Sequence, residues 1–378
     1  MRPKFEEGGK LYAFHSLFDA MDTFFYTPEQ TTVSGCHIRD AVDNKRTMFT
    51  VIIALIPALL FGMYNIGYQH YLSLGQVSCY CDNFWGNLGY GFLKILPMLL
   101  VSYIVGLGIE CIFAQIRKHE VSEGYFVTGM LIPLICPPDV PLWQLAIAVA
   151  FAVIIGKEVF GGTGYNFLNP ALVARAFLFF SYPSQMSGDT VWIAEQGDAI
   201  SGATPLGEML AGGVAPQASV LDMFLGFIPG SVGETSVIAI LIGAVILLVT
   251  GIASWRIMLS IFAGGAAMGL VFNMIGANPY MEMPFYYHFL IGGFMFGAVF
   301  MATDPVTAAQ TNTGKYIYGA LIGIMAVLIR VLNPAYPEGM MLSILLLNVF
   351  APLIDYYVVD ANIRRRAKRA KLLVKNNQ

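Results

Sequence analysis

The feature that most limits how this chain folds is a series of long apolar runs. Stretches such as 48–68, 93–114 and 256–276 reach the roughly 20 residues that an α-helix needs to cross a bilayer. Only 12% of the 378 residues are charged, about half the fraction found in a soluble domain. A transmembrane β-barrel would show short segments of alternating polarity instead. The runs therefore predict an all-α, polytopic membrane protein.

The apolar runs divide the chain into two similar parts. We expect about ten transmembrane helices, at 48–68, 93–114, 124–137, 141–160, 166–183, 236–253, 256–276, 285–302, 315–333 and 339–358. An odd number of spans in each half implies that the halves, 48–183 and 236–358, are inverted relative to each other. The segments NPALVAR (169–175) and DPVTAAQ (304–310) share a few positions, which is a weak sign of such a repeat.

Charge predicts the orientation of the spans. Six Lys or Arg residues lie in the arm 1–47 and seven lie in the tail 359–378, so the positive-inside rule places both termini in the cytoplasm. The loop 184–235 then lies outside, and it contains no Lys or Arg. Basic residues beside a final span are typical of a topology anchor, so we expect no nucleic-acid partner. The five cysteines form no C-x-x-C pair, which argues against a metal or iron–sulfur site made by this chain alone.

The loop between the halves contains the short motif DAISGAT (198–204). From spacing alone, Ser201-Gly202-Ala203-Thr204 before a proline predicts a turn or a helix start. A hydroxyl in a long, accessible loop also suits covalent modification, because a modifying enzyme needs access to the backbone. Loops longer than about 15 residues are often functional.

The motif resembles a known acceptor sequence. Asp198, Ser201, Gly202, Ala203 and Thr204 are spaced as in the substrates of flavin transferases, which join FMN through its phosphate to the last threonine. The rest of the chain is similar to the NqrB/RnfD family, whose members are membrane subunits of the sodium-translocating NADH:quinone oxidoreductases and of the Rnf complexes. The segments that carry the similarity are KEVFGGTGYNFLNPALVARAF (157–177), MATDPVTAAQTNTGK (301–315), IRVLNPAYPEGMM (329–341) and NVFAPLIDYYVV (348–359). The long arm GGKLYAFHSLFDAMDTFFYTPEQTT (8–32) favours the quinone reductase.

The resemblance implies that this chain holds two flavins. FMN would be attached covalently to Thr204 by a phosphoester, and riboflavin would bind without a covalent bond near Asn166 and Asn169. These asparagines lie in GGTGYNFLNP (161–170), whose glycines and Asn-Pro ending are typical of a broken helix buried in protein. Alternatively, the two asparagine side chains satisfy the backbone of that broken helix.

Acidic side chains within or beside apolar spans are costly and usually face a partner or a water path. The resemblance implies that Glu110, Asp304 and Asp355 take part in sodium uptake. Alternatively, these acids pair with Arg175, with Arg330 or with helix N-termini. Phe296 and Phe300 are four residues apart and share a helix face. The family implies that they constrict the ion path, whereas packing is the other interpretation.

The resemblance also implies the partners and the location of the chain. Quinone contacts are expected near Gly106 and Leu107 in YIVGLGIE (103–110) and beneath the aromatic arm (Phe14, Phe18, Phe24, Phe25 and Tyr26). NADH would bind on another subunit, because no dinucleotide fingerprint is present. The expected partners are an NADH-oxidising iron–sulfur flavoprotein, a second FMN subunit and small membrane subunits in a bacterial inner membrane. Two alternatives are an Rnf-type subunit and a flavin-free channel or transporter on the same fold.

Overall fold

The computed structural model describes residues 44–77, 79–117, 124–195, 202–212, 216, 218–333 and 339–376, with a few single positions before residue 44. Over these residues the chain forms helices and turns and no β-strand, which confirms the all-α prediction. Six of these helices are long and apolar enough to cross a membrane, and three apolar helices are shorter. The main helices are α1 (Asn44–Ser73), α2 (Phe84–Arg117), α3 (Gly124–Leu134), α4 (Leu142–Gly156), α5 (Pro170–Ser181), α6 (Val237–Val249), α7 (Trp255–Ile275), α8 (Asn312–Leu332) and α9 (Met340–Asn376).

The two halves repeat one order of packing. In the first half α2 packs on α4 and α4 packs on α5, and in the second half α7 packs on α8 and α8 on α9. Contacts between α1 and α6 join the halves. The similar segments NPALVAR and DPVTAAQ do not mark equivalent positions, because the first begins α5 whereas the second precedes α8. That weak sign of a repeat was therefore wrong.

Glycines bring α7 and α8 into backbone contact. A Cβ added to Gly264 would overlap the carbonyl oxygen of Ala320, and one added to Gly323 would overlap that of Ile261. Small residues at such a crossing let helix backbones approach closely where lipid offers no hydrophobic driving force.

The predicted span 285–302 is not one continuous helix. It consists of the short helix Tyr287–Leu290, a turn at Ile291–Gly293, and a second helical segment from Phe294 to Met301 that ends as a π-helix. Arg330 of α8 is fully buried and donates hydrogen bonds to the carbonyl oxygens of His288 (2.7 Å) and Ile291 (3.1 Å). The break therefore has its free carbonyls satisfied by protein, as a break at membrane depth requires.

Three other segments differ in detail from the sequence-based boundaries. The loop 184–235 contains the short helices Pro205–Gly212 and Val220–Leu225. The span predicted to begin at residue 166 becomes helical only at Pro170. Helix α9 continues without a break past residue 358 into the basic tail.

Candidate functional site

A cavity of about 780 Å³, which we call cavity A, lies where the start of α1 meets the ends of α4 and α6. Side chains from both halves of the chain line it. They include Thr47, Lys157, Thr163, Asn166, Asn169, Phe300 and Asp304. Cavity A therefore brings the two predicted riboflavin contacts together with two residues of the predicted ion path.

The wall that carries the asparagines is a non-helical turn between α4 and α5. Gly161, Gly162 and Gly164 all have positive φ angles, which allow this tight path. The Asn169 side chain caps α5 by accepting a hydrogen bond from the Ala171 N–H (3.0 Å). Asn166 bridges the turn, accepting from the Gly164 N–H and donating to the Leu168 carbonyl. The alternative structural role of the asparagines is thus present in the geometry, and both side chains also line the cavity.

A buried ion pair joins cavity A to α2. The Lys157 ammonium contacts the Glu110 carboxylate, and the two side chains are 4% and 3% exposed. The next residue, Glu158, pairs with Arg117 at the end of α2 (3.1 Å). Glu110 therefore contacts neither of the arginines considered from sequence but a lysine 47 positions away.

The other two predicted sodium residues lie at turns before helices. Asp304 accepts hydrogen bonds from the Val306 N–H (3.1 Å) and the Thr307 hydroxyl (3.0 Å). Asp355 of α9 accepts from the backbone N–H groups of Gln310 and Thr311, just before α8. The interpretation that these acids stabilise helix N-termini thus agrees with the hydrogen bonds around them.

Phe296 and Phe300 contact each other, with ring centroids 5.0 Å apart. Both are buried, and Phe300 lines cavity A. A Cβ added to Gly243 of α6 would lie 2.6 Å from the Phe300 ring, so this glycine makes room for the ring beside α6.

The predicted quinone region on α2 is tightly packed at one position. A Cβ added to Gly106 would overlap the Tyr125 ring, and Leu107 packs partly buried against the core. At Gly108 an added Cβ would meet nothing within 4 Å. Phe14, Phe24, Phe25 and Tyr26 of the aromatic arm lie outside the described residues.

Thr204 lies at the opposite end of α6 from cavity A. Asp198 and Ser201 of the motif are outside the described residues, whereas Gly202 donates to the Asp189 carbonyl (3.1 Å) and Ala203 is half-buried. The Thr204 hydroxyl accepts a hydrogen bond from the Gly207 N–H (3.2 Å), so it caps the helix Pro205–Gly212. The predicted helix start is therefore correct.

A second cavity, cavity B, opens beside Thr204 and contains about 360 Å³ of space. Its lining includes Trp192, Thr204, Ser231, Glu234, Thr235 and Gly292. Glu234 forms a buried ion pair with Arg175 of α5 (2.9 Å). The hydroxyls of Ser231 and Thr235 are buried and have no hydrogen-bond partner within the described parts of the chain.

The two cavities lie at opposite ends of α6. Thr235 of cavity B precedes the helix, and Leu247 near its end lines cavity A. The 13 residues of α6, at about 1.5 Å rise per residue, separate the cavities by roughly 20 Å.

Lys94, which sequence reasoning did not single out, anchors the segments around cavity B. Its ammonium pairs with Asp139 (3.1 Å) and Glu195 (2.9 Å). The hydrogen bond from Lys94 is the main cause that lowers the pKa of the Glu195 carboxyl. In the same way Tyr80 donates to Asp222 (2.7 Å), which lowers the pKa of Asp222 and raises that of Tyr80 to about 12. The position of Lys94 at the edge of a predicted span was a usable signal.

Comparison with known proteins identifies similar chains. The model of the "NQR2, RnfD, RnfE family" matches residues 31–364. The chain is 51% identical to a membrane component of the Na(+)-translocating NADH-quinone reductase of Ectopseudomonas mendocina, over 97% of this chain and 96% of that one. It is also 51% identical to the corresponding component in Chromohalobacter salexigens, over 98% of this chain and 95% of the other. Identity to the corresponding component in Azotobacter vinelandii is 50%, over 97% and 96% of the two chains.

Proposed function

Because the chain belongs to the NQR2, RnfD, RnfE family, we propose that its two cavities serve electron transfer and the sodium path of a respiratory translocase. The chain is a membrane subunit of a sodium-translocating NADH:quinone oxidoreductase, as its relatives of about 50% identity over nearly full length are. The observation that carries the proposal is cavity A. There the predicted flavin contacts and the predicted cation path share one space beside a buried ion pair.

The residues of cavity A fit a flavin ring. Asn166 and Asn169 offer amide groups at its wall, and Thr163 has a buried hydroxyl without a partner among the described residues. Such groups hydrogen-bond the polar edge of a planar ring, while Val127, Leu131 and Phe300 cover apolar surface. A bound flavin supplies the redox chemistry, and the protein supplies binding, orientation and electrostatics. In this proposal Asn166 and Asn169 hold riboflavin.

Thr204 is the proposed attachment point of FMN, through a phosphoester at its hydroxyl oxygen. Its half-buried side chain lies at the rim of cavity B, and the loop before it continues into the motif residues Asp198 and Ser201. The Arg175 guanidinium next to Glu234 keeps the charge of this region balanced, so a phosphoester does not face an isolated carboxylate.

The proposed sodium path begins at the acids on the cavity A side. Asp304 lines the cavity itself, and Glu110 contacts its lining residue Lys157. Carboxylate oxygens are suitable ligands for a hard cation. Phe296 and Phe300 close the path by their contact, which suits a hydrophobic constriction that opens and closes with hydration. Asp355 would act next to this entrance, on α9.

The remaining parts of the proposal follow from the family. Quinone would bind beside α2 near Gly106 and Leu107, with the aromatic arm over its headgroup. The basic ends would face the cytoplasm of a bacterial inner-membrane protein, and cavity B would face the opposite side. An NADH-oxidising iron–sulfur flavoprotein, a second FMN subunit and small membrane subunits would complete the complex.

In-gel fluorescence after denaturation tests the flavin attachment. The chain co-expressed with a flavin transferase should give a fluorescent band that disappears in Thr204→Ala and persists in Ser201→Ala. A band that survives in Thr204→Ala would overturn the attachment site. Sodium-stimulated quinone reduction by the assembled complex tests the wider proposal, because an Rnf-type subunit would support ferredoxin-linked NAD reduction instead.

A further inference from the structure

We propose that cavity B holds the phosphate and the hydroxylated chain of the group attached to Thr204, with Ser231 and Thr235 as its hydrogen-bonding partners. This inference rests on the proposed attachment of FMN at Thr204. It adds two binding residues from GSVGETS (230–236), a segment separated from the motif by more than twenty positions of sequence.

The first argument is the hydrogen bonding of buried hydroxyls. Ser231 and Thr235 are only 3% and 4% exposed, and neither hydroxyl has a partner in the part of the chain that the structure describes. Every other buried serine and threonine of that part forms a hydrogen bond through its hydroxyl, namely Ser102, Ser236, Ser260, Thr303, Thr307 and Ser343. A buried hydroxyl without a partner is costly, so this pair indicates a ligand or water.

The second argument is position. Both hydroxyl-bearing residues line the same cavity as Thr204. In a phosphoester of FMN, the atoms that follow the threonine oxygen are those of the phosphate and then of a chain that carries hydroxyls. These are the atoms that reach a cavity directly beside Thr204, whereas the flavin ring lies farther along the chain. A polyol can both donate to and accept from serine and threonine hydroxyls.

The third argument is the remaining lining of cavity B. Trp192 and Leu206 present apolar surface to the carbon skeleton of such a chain. Glu234 also lines the cavity, and it can accept a hydrogen bond from a chain hydroxyl while Arg175 compensates its charge at 2.9 Å. The space of about 360 Å³ is comparable to a small-ligand pocket, which typically measures about 300–1,000 Å³.

Iodide quenching of the attached flavin tests the assignment. The full chain is co-expressed with the transferase, freed of non-covalent flavin and kept in detergent. Ser231→Ala, Thr235→Val and their combination should leave the amount of covalent flavin unchanged. Loss of each hydrogen bond should raise the access of iodide roughly 2- to 10-fold. Thr235→Ser keeps the hydroxyl and should retain the wild-type protection, and Ser343→Ala is the matched control in a buried hydroxyl far from cavity B.

Melting temperature in two backgrounds separates ligand from water. With flavin attached, Ser231→Ala should lower the melting temperature. In a Thr204→Ala background it should leave the melting temperature unchanged or raise it, because the hydroxyl then has no partner. Equal effects in both backgrounds, or wild-type quenching in the double variant, would overturn the inference and assign the hydroxyls to bound water. A missing covalent band in the wild type would instead reject the attachment at Thr204, so the two failures are distinct.

Discussion

Replacing Glu110 by Gln should destabilise the protein, because it leaves the Lys157 ammonium buried without its carboxylate contact. The side chains of this pair are 4% and 3% exposed, so water screens neither charge effectively. Removing one partner of a buried ion pair typically costs about 3–5 kcal/mol. Replacing both partners by uncharged residues of similar size is often neutral or stabilising. The double variant Glu110→Gln/Lys157→Met should therefore recover most of the lost stability.

This pair of variants separates packing from ion handling at Glu110. Differential scanning fluorimetry of the detergent-solubilised complex should show a lower melting temperature for Glu110→Gln and a nearly wild-type one for the double variant. If Glu110 also handles sodium, the double variant should still lack normal sodium stimulation of quinone reduction. Full recovery of that stimulation would assign the carboxylate to structure alone.

An exposed ion pair on α9 provides the matched control. Asp360 contacts Arg364 at 2.7 Å, but the arginine side chain is 79% exposed. Asp360→Asn should cost less than about 1 kcal/mol, as exposed pairs do. A wild-type melting temperature for Glu110→Gln would refute the reasoning, because it would mean that the Lys157 ammonium is not held in a low-dielectric site.

Three further predictions concern other parts of the chain. Asp355→Ala should lower sodium stimulation in a quinone-reduction assay and destabilise the turn before α8 by about 1 kcal/mol, the value of a lost helix cap. Gly106→Ala should impair folding and quinone reduction, since its Cβ would overlap a tyrosine ring, whereas Gly108→Ala should be tolerated in the same assays. The pKa values of Glu195 and Asp222 are lowered in the folded protein, so their contribution to stability is present at neutral pH and lost as the pH falls below about 4. Limited proteolysis of the loop around them should accelerate in that range and not at neutral pH.

Membrane-span positions could be predicted from the sequence because hydropathy is a local property. Each predicted span coincides with a helix or, at 285–302, with a broken helical segment. The break itself was not predicted, since IGGFMFGAVF is apolar throughout and the residue that satisfies its carbonyls, Arg330, lies on α8. Thr204 could be found from a contiguous motif for the same local reason.

Ion pairs could not be predicted at this level. Glu110 and Glu234 contact Lys157 and Arg175, which are 47 and 59 positions away. Sequence reasoning offered arginines and helix N-termini as partners for the acids, but a sequence contains no distance between residues on different helices. Only the packing of α2 on α4 selects Lys157 for Glu110.

Sequence alone was enough to predict a polytopic helical membrane protein, to indicate the family that it resembles and to mark one threonine as the flavin acceptor. These properties depend on runs of apolar residues matched to bilayer thickness and on contiguous motifs. It took the folded chain to reveal that Asn166, Asn169 and Asp304 share cavity A and that Ser231 and Thr235 lie beside Thr204. The physical reason is that both cavities are assembled from segments far apart in sequence, whose proximity follows from helix packing and from the need to satisfy buried polar groups.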